Sequence, residues 1–162
     1  MRFIGVDPST KTGIVALSSN GEVLVAKEIE KEGKDPERMS ELIQAVTNEI
    51  EDTDIVAIEG FGFASQLGFL LGGIGWGIRL ELYRRGIPYL EIAPSALKKF
   101  TGAKGNANKE KIAVEVYKRW GFEHDSNNVI DAYVLAQIAR STKGLIDTTK
   151  FQKEVLEKVK GG

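Results

Sequence analysis

The sequence predicts an α/β fold built on one mixed, five-stranded sheet with helices on its faces. Three strand-like segments come first and are joined by short connections, which is typical of an antiparallel meander. Later strand-like segments alternate with helical ones, as in crossover connections. The chain has 162 residues, 42% hydrophobic and 28% charged, which suits one globular domain with a sizeable core.

The predicted strands are short apolar or alternating runs bounded by turn-forming residues. They lie at residues 2–6, 13–17, 22–29, 55–58 and 87–92. The first strand ends at Asp7, before the turn cluster Pro8-Ser9-Thr10, and Ser19-Asn20-Gly21 is a hairpin signal between the second and third. The fourth is apolar throughout, which indicates a central strand covered on both faces.

The predicted helices follow from apolar residues at helical spacing and from capping residues. One begins at Pro36 after an Asp35 cap and carries apolar residues as far as Ile50. The others lie at residues 65–85, 94–100, 109–120 and 126–141. We assign residues 1–144 to the main domain and 145–162 to a C-terminal tail, in which apolar residues at four-residue spacing predict a terminal helix.

Glycines are unusually frequent in the helix predicted at residues 65–85. Five fall between residues 68 and 77, and each costs a helix up to about 1 kcal/mol relative to alanine. Such a cost predicts that another backbone packs closely there, either within the fold or across a dimer.

The composition excludes several classes of site. The chain has no cysteine and one histidine, which excludes disulfides, thiolate zinc sites, a cysteine nucleophile and metal sites with several imidazoles. Any bound metal must therefore be held by oxygen atoms. The sequence predicts no signal peptide and no membrane span, so we expect a cytoplasmic protein.

Positive charge is concentrated in one part of a nearly neutral chain. The net charge is −1, but residues 98–119 hold seven basic and two acidic residues. This segment is compatible with a polyanionic partner bound at one place. The alternative is a solvated helix face with no partner.

Three carboxylates occupy positions that are hard to explain by structure alone. Asp7 and Glu59 each end an apolar strand, and Asp131 lies on an otherwise apolar helix face. If the two strands pair in parallel, both carboxylates emerge at the same sheet edge, where ligands gather in sheets of this kind. Such a cluster repels itself unless cations neutralise it, and carboxylate oxygens suit Mg²⁺ or Mn²⁺.

Each carboxylate also has a plainer interpretation. Asp7 before Pro-Ser-Thr is compatible with a turn residue, and Glu59 with an ion pair to Arg79 or a lysine. Asp131 is compatible with an acid favoured by the helix dipole near an N-terminus. Their joint placement in two strands and a late helix is less easily explained by accident.

At these residues the chain resembles RuvC-type Holliday-junction resolvases. The matching motifs are Phe3-Ile4-Gly5-Val6-Asp7-Pro8-Ser9 with Gly13, Val56-Ala57-Ile58-Glu59, Ala93-Pro94-Ser95 with Lys98, Gly105-Asn106-Ala107-Asn108-Lys109, and Asp131-Ala132. They run from about residue 2 to 141 in matching order and spacing, so the resemblance is more specific than any single motif.

The resemblance implies an RNase H-like nuclease domain and a homodimer that acts in DNA recombination and repair. It implies an endonuclease that nicks four-way DNA junctions with Mg²⁺, or Mn²⁺ in its place, and leaves 5′-phosphate and 3′-hydroxyl ends. Two ions are expected per active site. The implied setting is the cytoplasm of a bacterial or phage-infected cell. By position, Asp7, Glu59 and Asp131 match metal-binding acids, and Lys98 and Lys109 match basic residues near the scissile phosphate.

Two departures from the family pattern concern the site. Asn128 stands where the family usually has Asp or His, and we expect its amide oxygen to ligate a cation without supplying charge or acting as a base. Phe61 and Phe63 flank the position of a family aromatic that engages junction bases. Either ring stacks on an unpaired base, or both pack into the core.

The basic segment supplies the expected contacts to DNA phosphates. The residues predicted to surround the acids and bind DNA are Lys98, Lys99, Lys104, Lys109 and Lys111. Contacts of this kind fix the position of DNA without reading its sequence.

Three alternatives to a junction-cutting enzyme remain. A nuclease of the same fold would act on other branched DNA or on RNA. A catalytically weak junction-binding protein is suggested by Asn128, although the three acids argue against it. The segment from Gly5 to Gly13 also resembles the phosphate hairpin of actin- and sugar-kinase-like ATP binders, but those proteins need two lobes, for which 162 residues are too few.

Overall fold

The computed structural model describes residues 1–61 and 68–160. In these residues strands and helices follow one another in the predicted order. The strands are β1 (Arg2–Asp7), β2 (Lys11–Ser18), β3 (Val23–Glu30), β4 (Ile55–Glu59) and β5 (Tyr89–Ile92). The helices are α1 (Glu37–Thr47), α2 (Gly68–Arg84), α3 (Pro94–Thr101), α4 (Lys109–Trp120), α5 (Asn127–Ser141) and α6 (Lys150–Lys160).

The strands form one mixed sheet in the order β3-β2-β1-β4-β5, which confirms the predicted α/β class. β1 to β3 form an antiparallel meander, and β4 and β5 add in parallel beside β1. Val6 pairs with Ile58, so that Asp7 and Glu59 follow at the same edge of the sheet. The parallel arrangement predicted for these two strands is therefore present.

Helices cover both faces of the sheet. Successive side chains of the central strands point to opposite faces, and both sets are apolar, so each face needs a covering layer. Phe3 of β1 and Ala57 of β4 face a core that includes α5. Ile4 and Val56 face the opposite core, which includes α1 and α2. This two-sided burial explains why β4 is apolar throughout.

Two glycines allow α5 to lie directly on the sheet. A Cβ atom on Gly5 would lie 1.8 Å from the Ala132 carbonyl oxygen, and one on Gly13 would lie 2.1 Å from that of Asn128. Every residue of α5 from Val129 to Ser141 is buried, so the burial is wider than the single apolar face expected from the sequence. This packing fixes α5 against the strand that ends in Asp7.

Some predicted boundaries and contacts differ from the structure. α1 begins at Glu37, and Pro36 occupies the N-cap position without a side-chain cap. Asp35, predicted as the cap, instead receives hydrogen bonds from Arg38. β5 begins at Tyr89 rather than at residue 87, because residues 85–88 form a turn and a short connection between α2 and the strand. The predicted start of α2 at residue 65 lies outside the described residues.

The glycines of α2 have two different surroundings. A Cβ atom on Gly77 would lie 2.1 Å from Cδ1 of Ile43, so the close neighbour there is a side chain of α1 and not the predicted backbone. No described atom lies within 4 Å of such a Cβ atom on Gly68 or Gly72.

No helix in the described ranges is both long and apolar enough to cross a bilayer.

The predicted terminal helix is present as α6, and it packs on α3. Lys99 forms an ion pair with Glu154 at 2.5 Å. The Gln152 amide nitrogen donates a hydrogen bond to the Phe100 carbonyl at 3.1 Å. The C-terminal tail thus lies against the main domain.

Candidate active site

Asp7 and Glu59 lie side by side at the ends of β1 and β4. The parallel pairing of these strands places them there, and Asp7 is only 6% exposed. Their carboxyl groups lie close enough for each to affect the pKa of the other. Two carboxylates so close and so poorly solvated cannot both be ionised without a compensating positive charge.

Asp131 completes the group from α5, one turn beyond the N-terminus of that helix. Ser126 caps the helix by accepting a hydrogen bond from the Val129 amide. Asp131 is 2% exposed, and its carboxylate forms an ion pair with the ammonium group of Lys109 at the start of α4. We call Asp7, Glu59 and Asp131 the acid cluster.

Burial dominates the electrostatics of the acid cluster. It raises the pKa of Asp7 well above the ordinary value of 3.8, and the charges of Glu59 and Asp131 add to the shift. Burial also raises the pKa of Glu59 and of Asp131, although Lys109 and Lys98 act in the opposite direction on both. The acid cluster therefore favours protons or cations over three free negative charges.

Two of the predicted basic residues lie close enough to affect the acid cluster. Burial alone would lower the pKa of Lys109, but the charges of Asp131, Asp7 and Glu59 outweigh it and raise the pKa. Lys98 lowers the pKa of Glu59 and of Asp131 through its charge. The Lys109 ammonium is therefore favoured in its charged form beside the acid cluster.

A cleft of about 330 Å³ opens over Asp7 and Glu59. Asn128 and Lys109 form part of its wall. The Asn128 amide nitrogen donates hydrogen bonds to the Lys11 carbonyl at 2.7 Å and to the Ser9 hydroxyl at 3.3 Å. Both described hydrogen bonds of the Asn128 side chain use the nitrogen, which leaves the amide oxygen as the atom available to a ligand.

The chemistry of the acid cluster fits a divalent cation, although its present geometry does not form a closed metal site. Its donors are carboxylate oxygens, which suit Mg²⁺ or Mn²⁺. Within residues 1–61 and 68–160, no three Asp, Glu or His side chains are arranged to hold a metal ion. The Lys109 ammonium, paired with Asp131, supplies neutralising charge in this arrangement.

Phe61 lies in the cleft wall and is partly buried. Its ring stacks on Trp76 of α2 with centroids 5.6 Å apart, and the Arg79 guanidinium lies 4.4 Å from the ring centroid. The ring thus belongs to the wall of the cleft and remains partly accessible to a ligand. Phe63, the other aromatic expected to contact DNA, lies outside the described residues.

The remaining lysines predicted to bind DNA lie away from the acid cluster. Lys99 pairs with Glu154 of α6. Lys104 and Lys111 line a second groove of about 530 Å³ between the α3–α4 loop and α4, together with Lys118. The structure therefore divides the basic segment between the acid cluster and a separate basic groove.

Sequence reasoning missed two side chains that shape the site. Arg79, considered only as a partner for the Glu59 side chain, donates instead to the Glu59 backbone carbonyl at 3.0 Å. Ser9 lines the cleft and orients the Asn128 amide. The one available signal was a charged residue, Arg79, between Ile78 and Leu80 in an otherwise apolar stretch.

Comparison with solved structures identifies the fold. RuvC from Thermus thermophilus superposes with a TM-score of 0.70 at 20% identity, over 92% of this chain and 100% of that one. The T. thermophilus RuvC complex with a Holliday junction substrate gives 0.68 at 19% identity, over 92% and 99%. The Fowlpox virus resolvase in complex with its substrate Holliday junction DNA gives 0.58 at 12% identity, over 86% and 98%.

Sequence comparison adds nothing to this result: no family model matches the chain, and no curated protein is significantly similar to it. At these levels of identity the structural likeness establishes the fold, so the chain has the RuvC-type, RNase H-like fold that its motifs imply.

Proposed function

We propose that this protein is a divalent-metal-dependent, structure-selective endodeoxyribonuclease that nicks four-way DNA junctions and leaves 5′-phosphate and 3′-hydroxyl ends. One observation carries the proposal. Three carboxylates from distant parts of the chain, Asp7, Glu59 and Asp131, meet in a poorly solvated cluster where their pKa values are raised. A protein gains no stability from such an arrangement, whereas metal-dependent phosphodiester hydrolysis requires one.

The surroundings of the acid cluster support a phosphodiester as substrate. Lys98 and Lys109 lie beside the cluster, and the cleft is open to solvent. The basic groove at Lys104, Lys111 and Lys118 offers further phosphate contacts. The fold is also that of RuvC and of a poxvirus resolvase, both solved with Holliday junction DNA.

The proposed roles follow from the chemistry of each side chain. Asp7, Glu59 and Asp131 would hold two Mg²⁺ ions, or Mn²⁺ in their place, with the Asn128 amide oxygen as a neutral ligand. Bound there, the ions would lower the pKa of an attacking water and stabilise charge on the scissile phosphate. Lys98 and Lys109 would bind phosphate oxygens and fix the strand in line for attack.

We also propose a homodimer formed through α2. The outer face of this helix carries large apolar side chains at the three- and four-residue spacing of helix–helix seams. They are Phe69, Trp76, Leu80 and Tyr83, of which Phe69 is fully exposed and Tyr83 is 80% exposed. Gly72, which has open space beside it on the same helix, would allow close approach of a second copy. Two active sites in one particle suit the two strands to be cut in a four-way junction.

Cleavage of a labelled synthetic four-way junction in Mg²⁺ tests the proposal. The controls are linear duplex, a flap and an RNA/DNA hybrid of matched sequence. We expect paired, symmetric nicks in the junction alone. Similar cutting of flaps or hybrids would retain a nuclease and contradict junction selectivity. Tight binding without cutting in either Mg²⁺ or Mn²⁺ would favour a junction-binding protein. The loss of activity would then be attributed to Asn128, which stands where the family usually has Asp or His.

A further inference from the structure

Arg79 is a buried cation whose three side-chain nitrogens each donate a hydrogen bond, yet none of the roles proposed above involves it. Its side chain is 1% exposed. Burial of a guanidinium is costly unless its donors are bonded. Nη2 donates to the Glu59 carbonyl at 3.0 Å, Nη1 to the Gly75 carbonyl at 3.0 Å, and Nε to the Glu91 carboxylate at 3.1 Å. The residue thus ties together β4, α2 and β5.

The hydrogen bond to Glu59 acts on the part of the chain that positions the acid cluster. Glu59 is the last residue of β4, and its carbonyl belongs to the peptide that leads into Gly60. The Gly60 amide donates to the Ile92 carbonyl at 2.8 Å, so both sides of that peptide are held. Fixing this peptide fixes the direction in which the Glu59 side chain leaves the strand.

The same guanidinium also holds the aromatic wall of the cleft. It lies 4.4 Å from the Phe61 ring centroid, within the range of a cation–π interaction. On α2 the ring sits beside Gly75, where a Cβ atom would lie 2.8 Å from Phe61 Cε1. Trp76 stacks on the ring from the outer part of α2. The absence of a side chain at Gly75 is therefore what gives the Phe61 ring its place.

We propose that Arg79 is a positioning residue that couples α2 to the cleft by holding both the Glu59 peptide and the Phe61 ring. The expected effect on the cleavage rate rests on the proposed nuclease function, whereas the expected effect on the position of the Phe61 ring does not. Trp76, Phe61, Arg79 and Glu59 form a continuous path from the outer face of α2 to the acid cluster. Displacing α2 would thus move the groups that meet the DNA strand.

Two conservative variants test the role of Arg79. Arg79→Lys keeps the charge but loses the planar fork that reaches three acceptors. Gly75→Ala keeps the guanidinium but crowds the contact from the other side, since its Cβ would lie 2.8 Å from Phe61 Cε1 and 3.1 Å from Arg79 Nη1. Alanine itself favours the helix. Arg84→Lys is the matched control, since Arg84 lies on the same helix with its side chain 68% exposed. Thermal unfolding verifies that all three proteins fold.

The kinetic readout separates positioning from binding. Small misplacements of reacting groups cost up to about 100-fold in rate. We expect Arg79→Lys and Gly75→Ala to lower the single-turnover cleavage rate of a four-way junction by at least about tenfold, with the junction Kd within about twofold of wild type. Arg84→Lys should match wild type in both. A wild-type rate in Arg79→Lys, or parallel losses of binding and folding, would overturn the proposal.

A second readout does not depend on activity. The chain has two tryptophans, so protein labelled with 5-fluorotryptophan gives two fluorine NMR signals, which Trp76→Phe assigns. Trp120 stacks on Phe100 in the opposite core and serves as the internal reference. We expect Arg79→Lys and Gly75→Ala to shift the Trp76 signal and leave that of Trp120 in place. An unmoved Trp76 signal in both variants would overturn the coupling.

The two readouts also separate this inference from the proposed function. A wild-type protein that cuts no junction would contradict the nuclease, and the NMR comparison would then support or overturn the role of Arg79 by itself. A wild-type protein that cuts junctions, beside an Arg79→Lys variant that cuts equally well, would leave the nuclease in place and overturn the role of Arg79.

Discussion

The two helices that flank the acid cluster, α5 and α2, are held in opposite ways. α5 is buried from Val129 to Ser141 and rests on Gly5 and Gly13, which leave no room for a side chain. α2 is buried on one side only and exposes Trp76 and other large apolar side chains on the other. The position of Asp131 is thus determined within one chain, whereas α2 presents a surface suited to a second one.

The contrast explains where glycine is required and where it is not. At Gly5 the absent Cβ makes room for the backbone of α5, so any side chain there must move a helix that carries Asp131. At Gly72 no described atom is near, and glycine only weakens the helix of a single chain. The same residue type therefore serves internal packing in one region and an open surface in the other.

The largest expected effect is on stability at the α5 contact. We expect Gly5→Ala to lower the free energy of unfolding by about 3 kcal/mol or to prevent folding, because the added Cβ would overlap the Ala132 carbonyl. Gly72→Ala, the matched substitution in α2, should be neutral or raise stability by up to about 1 kcal/mol in the monomer. Urea unfolding measures both. Equal effects at the two sites would contradict the distinction between the helices.

The next effect is on the oligomeric state and concerns the outer face of α2. Leu80→Asp places a charge at the centre of the proposed seam, and we expect it to convert the proposed dimer to a monomer at tens of micromolar while leaving the fold unchanged. Tyr117→Asp on α4 is the control, because Tyr117 is a large side chain outside the seam whose 56% exposure is comparable with the 47% of Leu80. Analytical ultracentrifugation gives the result. A wild-type monomer under these conditions would remove the proposed dimer.

A smaller effect, on the pH dependence of the free energy of unfolding, follows from the charge of the acid cluster. Burial raises the pKa of Asp7 above its ordinary value of 3.8, so the folded state binds a proton that the unfolded state has lost. The stability associated with Asp7 is therefore fully present below the unfolded pKa and is lost as pH rises through the folded pKa. In EDTA we expect Asp7→Asn to stabilise the protein by roughly 1–3 kcal/mol at pH 7 and by less at pH 4.

Thermal unfolding across this pH range, without divalent cations, measures the difference. Asp125→Asn is the control, because Asp125 is an exposed acid close to the start of α5. A stabilisation by Asp7→Asn that stays constant from pH 4 to pH 8 would contradict the raised pKa. Addition of Mg²⁺ should raise the melting temperature of wild type more than that of Asp7→Asn, since a bound ligand stabilises the folded state by mass action.

The sequence was sufficient to predict the sheet and the placement of Asp7 and Glu59 at one edge of it, because both follow from local patterns. Apolar runs ending in Asp7 and Glu59 indicate parallel strands with acids at one edge, and the sheet has that pairing. α4 was predicted at residues 109–120, which are its bounds in the structure, where Asn108 caps its start and Gly121 ends it. Such signals involve residues close together in the chain and need no knowledge of tertiary packing.

Contacts between distant segments could not be predicted in the same way. Lys99 was expected near the acids, but its ammonium group pairs with Glu154 on α6, whose position no local pattern specifies. Arg79 was considered a partner for the Glu59 side chain, and it binds the backbone of that residue instead. Each of these contacts depends on how helices pack on the sheet, which a single sequence leaves open.

The most direct test of the account compares wild type and Asp7→Asn on the same four-way junction. We expect wild type to cut in Mg²⁺. We expect Asp7→Asn to bind the junction with unchanged affinity but to lose cleavage by at least about 1,000-fold, because a charged ligand of the proposed metal site is lost while Lys98 and Lys109 remain. Turnover by Asp7→Asn at the wild-type rate would contradict the assignment of the acid cluster as the active site.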